Sequence, residues 1–202
     1  MIWDLPADWQ WKPISSLLTP VRRTAKPNEI RDEWTYVGLE HISPGTGEYT
    51  GVKAGSAGIR SNKFLFEPGD ILYGKLRPNL RKCVVAQTFG VSSTDIVPLR
   101  AVEPNSAHFI ALQLRSEPFT AEVLRLIGGA NLPRVNIKDL FSLKLPTPPP
   151  EDAHRLYEMA KHLTDLRYTH SALGAAMADV ESAMSAAALG LLRESKSHRI
   201  SG

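Results

Sequence analysis

The chain has 202 residues, of which 43% are apolar and 22% are charged. This composition is typical of a soluble protein with one full core, or with one domain plus an extended element. The single cysteine, Cys83, excludes an internal disulfide framework and a Cys-rich zinc site, and it favours a reducing cytoplasm. Residues 1–150 carry 18 Lys and Arg against 14 Asp and Glu, and residues 151–202 carry 6 against 7. The net charge of +3 therefore comes from the first part, which permits a polyanionic partner.

Neither membrane insertion nor secretion is indicated by the sequence pattern. No apolar run approaches the roughly 18 residues that a membrane helix needs. The opening MIWDLPADWQW lacks the basic and apolar regions of a signal peptide. We therefore expect a cytoplasmic protein.

Before residue 150 the sequence predicts mixed α and β structure. The run NKFLFEPGDILYGKL predicts a β-hairpin, because Pro68 and Gly69 occupy the second and third positions of a type II turn. Asn and Ser residues that precede two apolar runs are typical helix caps. The other predicted elements, in chain order, are a strand at 35–42, strands in CVVAQ and STDIVPLRA, a helix in NSAHFIALQLRS after Asn105 or Ser106, a helix in EPFTAEVLRLI that follows Ser116 and ends at Gly128-Gly129, and a short helix at 137–140.

The segment GDILYGKLRPNLRK matches the first part of a phosphate-binding loop, G-x-x-x-x-G-K. Leu76 stands where that motif needs a Ser or Thr to hold magnesium. The residues between the two glycines alternate as in a strand, and Pro78 arrives where a helix should begin. The pattern therefore does not indicate an ATP site.

The same segment is strongly basic, and basic residues can neutralise phosphates. An asparagine among them can read the edge of adenine. If residues 73–76 form a strand, Tyr73, Lys75 and Arg77 share one face. A solvated surface without a ligand is the alternative. The candidate DNA-binding residues are Lys75, Arg77, Asn79, Arg81 and Lys82, with Arg22, Arg23, Lys26, Arg60 and Arg134 as weaker candidates.

The sequence shows no spacing of residues that is typical of a catalytic or metal site. The six histidines are scattered without metal-ligand spacing. A site-specific endonuclease would need a cluster of carboxylates and metal, for which Asp70 and Asp95 are the candidate pair. We predict no catalytic site and no resident metal or cofactor, and keep the stand-alone endonuclease as an alternative.

The composition changes at LPTPPPED, residues 145–152. Its four prolines predict a stiff, extended linker. Glu151 and Asp152 then place negative charge in the first turn of the next helix. The sequence thus predicts a domain at 1–150, a long helix at 151–195 and a polar tail at 196–202.

The long helix carries apolar residues at alternating steps of three and four over five heptads, which predicts a coiled coil. Thirty-five residues of helix span roughly 50 Å, too long for one helix to bury alone on this domain. The predicted dimer interface consists of Leu163, Leu166, His170, Leu173, Met177, Val180 and Met184, within a longer seam that starts at Leu156 and Met159 and ends at Ala187 and Leu191.

His170 is the strongly polar residue of this seam. A metal or catalytic role is one interpretation, but no second ligand follows at helical spacing. The other interpretation is a polar residue that sets register and partner choice, and that makes the pair sensitive to pH.

Several segments together resemble one family, the specificity subunit of type I restriction–modification systems. LPADWQWKPISSLL resembles the opening of its target recognition domains. YVGLEHI, FLFEPGDILYGKLRPNLRK and STDIVPLR resemble its central strands in the same order, and GGANLPRVNIKDLFSLKLPTPPPED resembles its closing segment before the spacer helix. The chain departs from the family in two ways. Asp152 follows Glu151 where family members often have Gln after the acidic residue, and the chain carries one recognition domain and one long helix where typical subunits carry two of each.

The resemblance implies an α+β fold, in which a mostly β recognition domain with packed helices precedes a long coiled-coil helix. It implies a non-catalytic protein that binds double-stranded DNA and docks methyltransferase and restriction motor subunits, which would carry S-adenosylmethionine and ATP. One recognition domain and one helix would need a second copy or another half-subunit. Two domains about 50 Å apart would read half-sites on the order of 15 base pairs apart. A coiled-coil adaptor that does not bind DNA is a further alternative.

Overall fold

The computed structural model describes the backbone of residues 5–127 and 133–200, and the side chains of 5–127, 133–182 and 184. The predicted helix end at Gly128-Gly129 lies outside the described residues. Two compact units are distinguished, Met1–His162 and Leu163–Gly202. No helix in the described part of the chain is long and apolar enough to span a membrane.

The first unit is built of strands and short helices, followed by the first turns of a long helix. The strands are β1 (Gln10–Pro13), β2 (Leu18–Pro20), β3 (Thr24–Ala25), β4 (Thr35–Val37), β5 (Val52–Lys53), β6 (Lys63–Phe66), β7 (Ile71–Gly74), β8 (Cys83–Val85), β9 (Gly90–Ser92), β10 (Ile96–Ala101) and β11 (Lys144–Thr147). The helices are α1 (Ile14–Leu17), α2 (Ala107–Leu114), α3 (Glu117–Ile127), α4 (Ile137–Ser142) and α5 (Pro150–Ile200). The predicted α+β class with one long C-terminal helix is confirmed.

Three sheets organise these strands. One has four strands in the order β2-β10-β7-β8, one has five in the order β3-β6-β9-β4-β5, and β1 pairs with β11. Most pairs are antiparallel, and β4 runs parallel to β9.

The four-stranded sheet is buried on both faces. Ile71 and Tyr73 of β7 face one core, which includes apolar residues of α1, α2, α3 and α4. Leu72 faces a second core with Val37 and Phe66 of the five-stranded sheet. Because successive side chains of a strand point to opposite faces, a strand between two cores reads as an unbroken apolar run.

The predicted hairpin around Pro68 and Gly69 is wrong in its pairing and correct in its turn. β6 pairs with β3 and β9, whereas β7 pairs with β10 and β8. The turn itself has the Asp70 N–H donating to the Glu67 carbonyl at 3.1 Å, and Gly69 adopts φ +89°, as the third residue of a type II turn must. The chain therefore passes from one sheet to another at this turn, because β6 and β7 each pair with strands distant in sequence.

An ion pair between a buried carboxylate and a half-exposed arginine closes this corner. Asp70 is 1% exposed; its carboxylate accepts hydrogen bonds from the Glu67 N–H at 2.8 Å and from Arg100 Nε and Nη2 at 2.8 and 3.0 Å. Arg100 also donates to Glu67 at 2.7 Å. The Asp70 carboxylate raises the pKa of Arg100 above its ordinary value, which keeps the guanidinium charged. The corner from which β7 starts is thus fixed by charge.

The prediction of an extended linker before the long helix is wrong. Pro146 lies in β11 opposite Trp11 of β1, so part of the proline-rich run belongs to a sheet. A two-stranded ribbon tolerates this proline, because an edge position needs no donor on its free side. Pro150 begins α5, and Glu151 and Asp152 lie in its first turn as predicted.

The long helix shows two different faces along its length. In the first unit, the buried residues of α5 are Tyr157 and Ala160, while Met159 of the predicted seam is 59% exposed. Tyr157 packs against Phe109 of α2, with ring centroids 5.6 Å apart. In the second unit, the seam residues Leu166, Leu173, Met177, Val180 and Met184 are 57–68% exposed. Residues 196–200, assigned by the sequence to a polar tail, continue the helix.

Candidate nucleic-acid interface

The basic segment that follows β7 is held between two other loops. The Lys75 N–H donates to the Asp95 carbonyl at 2.8 Å, and the Val135 N–H donates to the Lys75 carbonyl at 3.0 Å. The Arg77 N–H donates to the Pro133 carbonyl at 2.8 Å. These backbone bonds place the segment beside the loop before β10 and the loop before α4.

Two arginines with left-handed backbones bracket a tight turn in this segment. Arg77 has φ +51° and Arg81 has φ +54°, on either side of a 3-10 turn at Pro78–Leu80. A side chain with a Cβ in this region costs on the order of 1–2 kcal/mol. The Leu80 N–H donates to the Arg77 carbonyl and the Arg81 N–H to the Pro78 carbonyl, both at 2.9 Å. Such strain persists where the surroundings fix the backbone, and it clusters at ligand sites.

Lys75 and Arg134 come together, and Asp95 joins them. Arg134 forms an ion pair with Asp95, and the Lys75 ammonium lies 5.9 Å from the centre of the Phe64 ring. Burial and the charge of Arg134 lower the pKa of Lys75. Sequence reasoning missed Asp95 as an ion-pair partner, because 39 residues separate it from Arg134 and no local pattern signals the contact.

Arg81 and Lys82 are engaged with the protein itself. Arg81 Nη1 donates to Glu117 of α3 at 2.9 Å, and Lys82 Nζ donates to the Leu39 carbonyl at 2.6 Å. Arg77 and Asn79 are exposed. Of the five leading candidates, Arg77 and Asn79 are therefore best placed to meet a ligand directly.

The predicted common face of Tyr73, Lys75 and Arg77 is wrong. β7 ends at Gly74, so Lys75 and Arg77 lie beyond the strand, and the left-handed backbone of Arg77 breaks the alternation. Tyr73 is 4% exposed, and burial raises its pKa.

The weaker candidates Arg22, Arg23 and Lys26 lie around β3 and are exposed. Arg23 donates to Glu67 at 3.0 Å, next to the charged corner. Arg60 lines an open cavity of about 320 Å³, which is also lined by Pro27, the residue after Lys26. These residues remain predicted contacts.

The carboxylate pair of the endonuclease alternative is not assembled. Asp70 is bound to Arg100 in the corner, and Asp95 is paired with Arg134. Among the described residues, no group of three or more His, Cys, Asp or Glu could hold a metal ion. A carboxylate that neutralises an arginine is poorly placed to bind magnesium.

The chain is similar in sequence to one curated protein and in fold to solved structures. The chain is 26% identical over 161 residues to the type I restriction enzyme EcoDI specificity subunit of Escherichia coli, covering 79% of this chain and 36% of that protein. No protein-family model matches. The fold is similar to the HsdS subunit from Thermoanaerobacter tengcongensis, with a TM-score of 0.63 and 21% identity. It is also similar to a chain in a structure of the type I R-M system, with a TM-score of 0.59 and 22% identity.

The similarity covers part of each relative. Both solved chains match 89% of this chain, which covers 48% of each of them. The chain thus spans about a third of the length of the curated relative and about half of the two solved chains. The predicted resemblance to type I restriction–modification specificity subunits is therefore confirmed, over part of the length of such a subunit.

Proposed function

We propose that this chain supplies the DNA sequence specificity of a type I restriction–modification system, by binding double-stranded DNA and performing no chemistry itself. The observation that carries this proposal is the sequence similarity to a specificity subunit over 161 residues. The basic turn at residues 77–81 supports it, because its backbone is already fixed and it presents the exposed side chains of Arg77 and Asn79.

DNA binding is tested with Arg77→Ala and a matched control, Arg125→Ala, which removes an exposed arginine of α3. Affinity for a duplex is measured by fluorescence anisotropy over a series of NaCl concentrations. If Arg77 reads a base edge, the variant loses about 1–3 kcal/mol on one sequence; if it contacts phosphate, affinity falls on all sequences and the salt slope falls by about one. A full-length protein with no salt-dependent affinity for DNA contradicts the proposal and favours the coiled-coil adaptor.

We further propose that two copies associate through α5, each reading one half of a bipartite site. The proposal is supported by the exposed apolar seam, because an exposed stripe of this length is costly in water. An antiparallel pair centred near His170 would place the two recognition domains at opposite ends of the helices. A homodimer would then read an inverted repeat, since protein symmetry is mirrored in the site.

Association is tested with Leu173→Asp on the seam and Ser171→Asp off it, which introduce the same charge two residues apart. Sedimentation equilibrium at micromolar concentration should give a dimer for the wild type and the control, and a monomer for Leu173→Asp. A monomeric wild type contradicts association through α5. A dimer that persists in Leu173→Asp contradicts the seam as its interface.

Methyltransferase and restriction motor subunits are the proposed protein partners, with S-adenosylmethionine and ATP bound to them. The support is the resemblance alone, since partners leave no local signature in this sequence. Sequencing methylated bases in the host, with and without this gene, tests the proposal. One bipartite motif should lose methylation when the gene is removed; an unchanged methylome contradicts the role.

A further inference from the structure

Asp95 places a negatively charged side chain next to Lys75 and Arg134, two of the proposed DNA-binding residues, although a negative charge there lowers affinity for DNA. Its carbonyl accepts the Lys75 N–H at 2.8 Å, and its carboxylate pairs with Arg134. Leu76 and Arg134 form a backbone bridge, and the Val135 N–H reaches Lys75. Backbone hydrogen bonds therefore fix a negatively charged side chain beside Lys75 and Arg134.

The pair is half open to solvent. The side chain of Arg134 is 55% exposed and that of Asp95 is 29% exposed. A guanidinium carries five N–H donors in a planar fork, so a carboxylate on one side leaves donors free on the other. The exposed part of Arg134 can therefore meet a ligand while Asp95 holds it.

We propose that Asp95 is a specificity-determining residue, which holds Arg134 for contact with a base edge and keeps it from acting as a general phosphate contact. This inference rests on the proposed function of DNA binding. Arg reads guanine O6 and N7 through two hydrogen bonds, a geometry that needs a fixed guanidinium plane. The ion pair with Asp95 restricts the orientations of the guanidinium before DNA arrives.

The same carboxylate acts against the wrong ligand. A phosphate that approaches Arg134 also approaches Asp95, whose charge repels it. A base edge presents neutral acceptors and meets less repulsion. Asp95 thus lowers affinity for every phosphate backbone. Hydrogen bonds between Arg134 and a base edge offset this loss only on the recognised sequence.

Two variants of the full-length protein test the inference. Asp95→Asn removes the charge and keeps the shape, and Arg134→Lys keeps the charge and removes the fork. Glu122→Gln is the control, because it releases Arg125 on α3 by the same acid-to-amide change. Affinity is measured by fluorescence anisotropy, over a series of NaCl concentrations, on a duplex selected from a random pool and on a scrambled duplex.

For Asp95→Asn, we expect weaker binding to the selected duplex and equal or tighter binding to the scrambled one. The ratio of the two affinities should fall by about 5- to 100-fold, the effect of one base contact. Arg134→Lys should lower the ratio by a similar factor, while Glu122→Gln should leave it unchanged.

The outcomes separate the inference from the proposed function. If both affinities of Asp95→Asn rise together, or if the ratio stays within twofold of wild type, Arg134 is a phosphate contact and the inference is wrong. An unchanged ratio in Arg134→Lys has the same meaning. If the wild-type protein binds neither duplex, the proposed function itself fails.

Discussion

The charged corner before β7 should account for a measurable part of the stability of the first unit. The substitution Asp70→Asn keeps the shape of a side chain that is 1% exposed and removes its charge. The amide oxygen of the asparagine accepts weaker hydrogen bonds from Arg100. Its amide N–H group faces N–H donors that bond to the carboxylate of Asp70 in the wild type. Hydrogen bonds to a charged group contribute about 1.5–3 kcal/mol. Because Arg100 is 49% exposed and can rehydrate, we expect a loss of about 2 kcal/mol.

Glu67→Gln is the matched control for this change. The carboxylate oxygens of Glu67 accept hydrogen bonds from the same arginine and from Arg23, but its side chain is 41% exposed. An exposed pair contributes about 0–1 kcal/mol, so the control should lose less than half as much. Both variants replace a carboxylate by an amide. The difference between their losses of stability therefore measures the effect of burial on the ion pair.

Urea unfolding monitored by tryptophan fluorescence measures both variants. All four tryptophans precede residue 35, so the signal reports the first unit and not the long helix. With a slope of about 2 kcal/mol per molar urea, the midpoint should fall by about 1 M for Asp70→Asn and by less than 0.5 M for Glu67→Gln. Equal shifts for the two variants would refute the reasoning from burial.

Two further predictions concern buried positions of the same unit. A Cβ at Gly90 would overlap the Thr35 carbonyl oxygen and lie 2.7 Å from the Phe66 ring, so Gly90→Ala should lower stability in urea by about 1–3 kcal/mol or more. Gly174→Ala is the control, because a Cβ there has nothing within 4 Å, and it should gain helix signal at 222 nm instead. Burial raises the pKa of Cys83 to about 12, so its thiol should resist alkylation at pH 8 until urea unfolds the protein. Because the unfolded thiol ionises at lower pH, this group contributes stability below about pH 9 that is lost between pH 9 and 12; melting temperatures that do not fall over that range contradict it.

The local elements of the chain could be predicted from sequence because their signals are local. The apolar run of β8, the helix of 107–114 and the type II turn at Gly69 each depend on neighbouring residues. Strand partners could not be predicted in this way. The corner between β6 and β7 has the composition of a hairpin, and only the competing edges of β9 and β10 decide otherwise. Long-range pairing overrides a correct local turn.

The candidate site shows the same difference between local signals, which could be predicted, and long-range contacts, which could not. Arg77 and Asn79 were predicted from composition and are exposed. Arg81 and Lys82 have the same composition signal, but Glu117 and the Leu39 carbonyl engage them. The sequence pattern groups basic residues that are near one another in the chain. Contacts with residues 36 and 43 positions away determine which of them are available to bind a ligand.

The left-handed backbone of Arg77 makes stability and DNA binding respond in opposite directions to one substitution. Arg77→Gly relieves a cost on the order of 1–2 kcal/mol, from which the greater freedom of glycine in the unfolded chain subtracts about 0.4–1 kcal/mol. Arg77→Ala keeps the Cβ and relieves nothing. Both variants remove the guanidinium, so they should lose DNA affinity equally. Arg77→Gly should be more stable in urea than Arg77→Ala, by up to about 1.6 kcal/mol. A glycine variant less stable than the alanine variant would mean that the turn at Pro78–Leu80 is not strained.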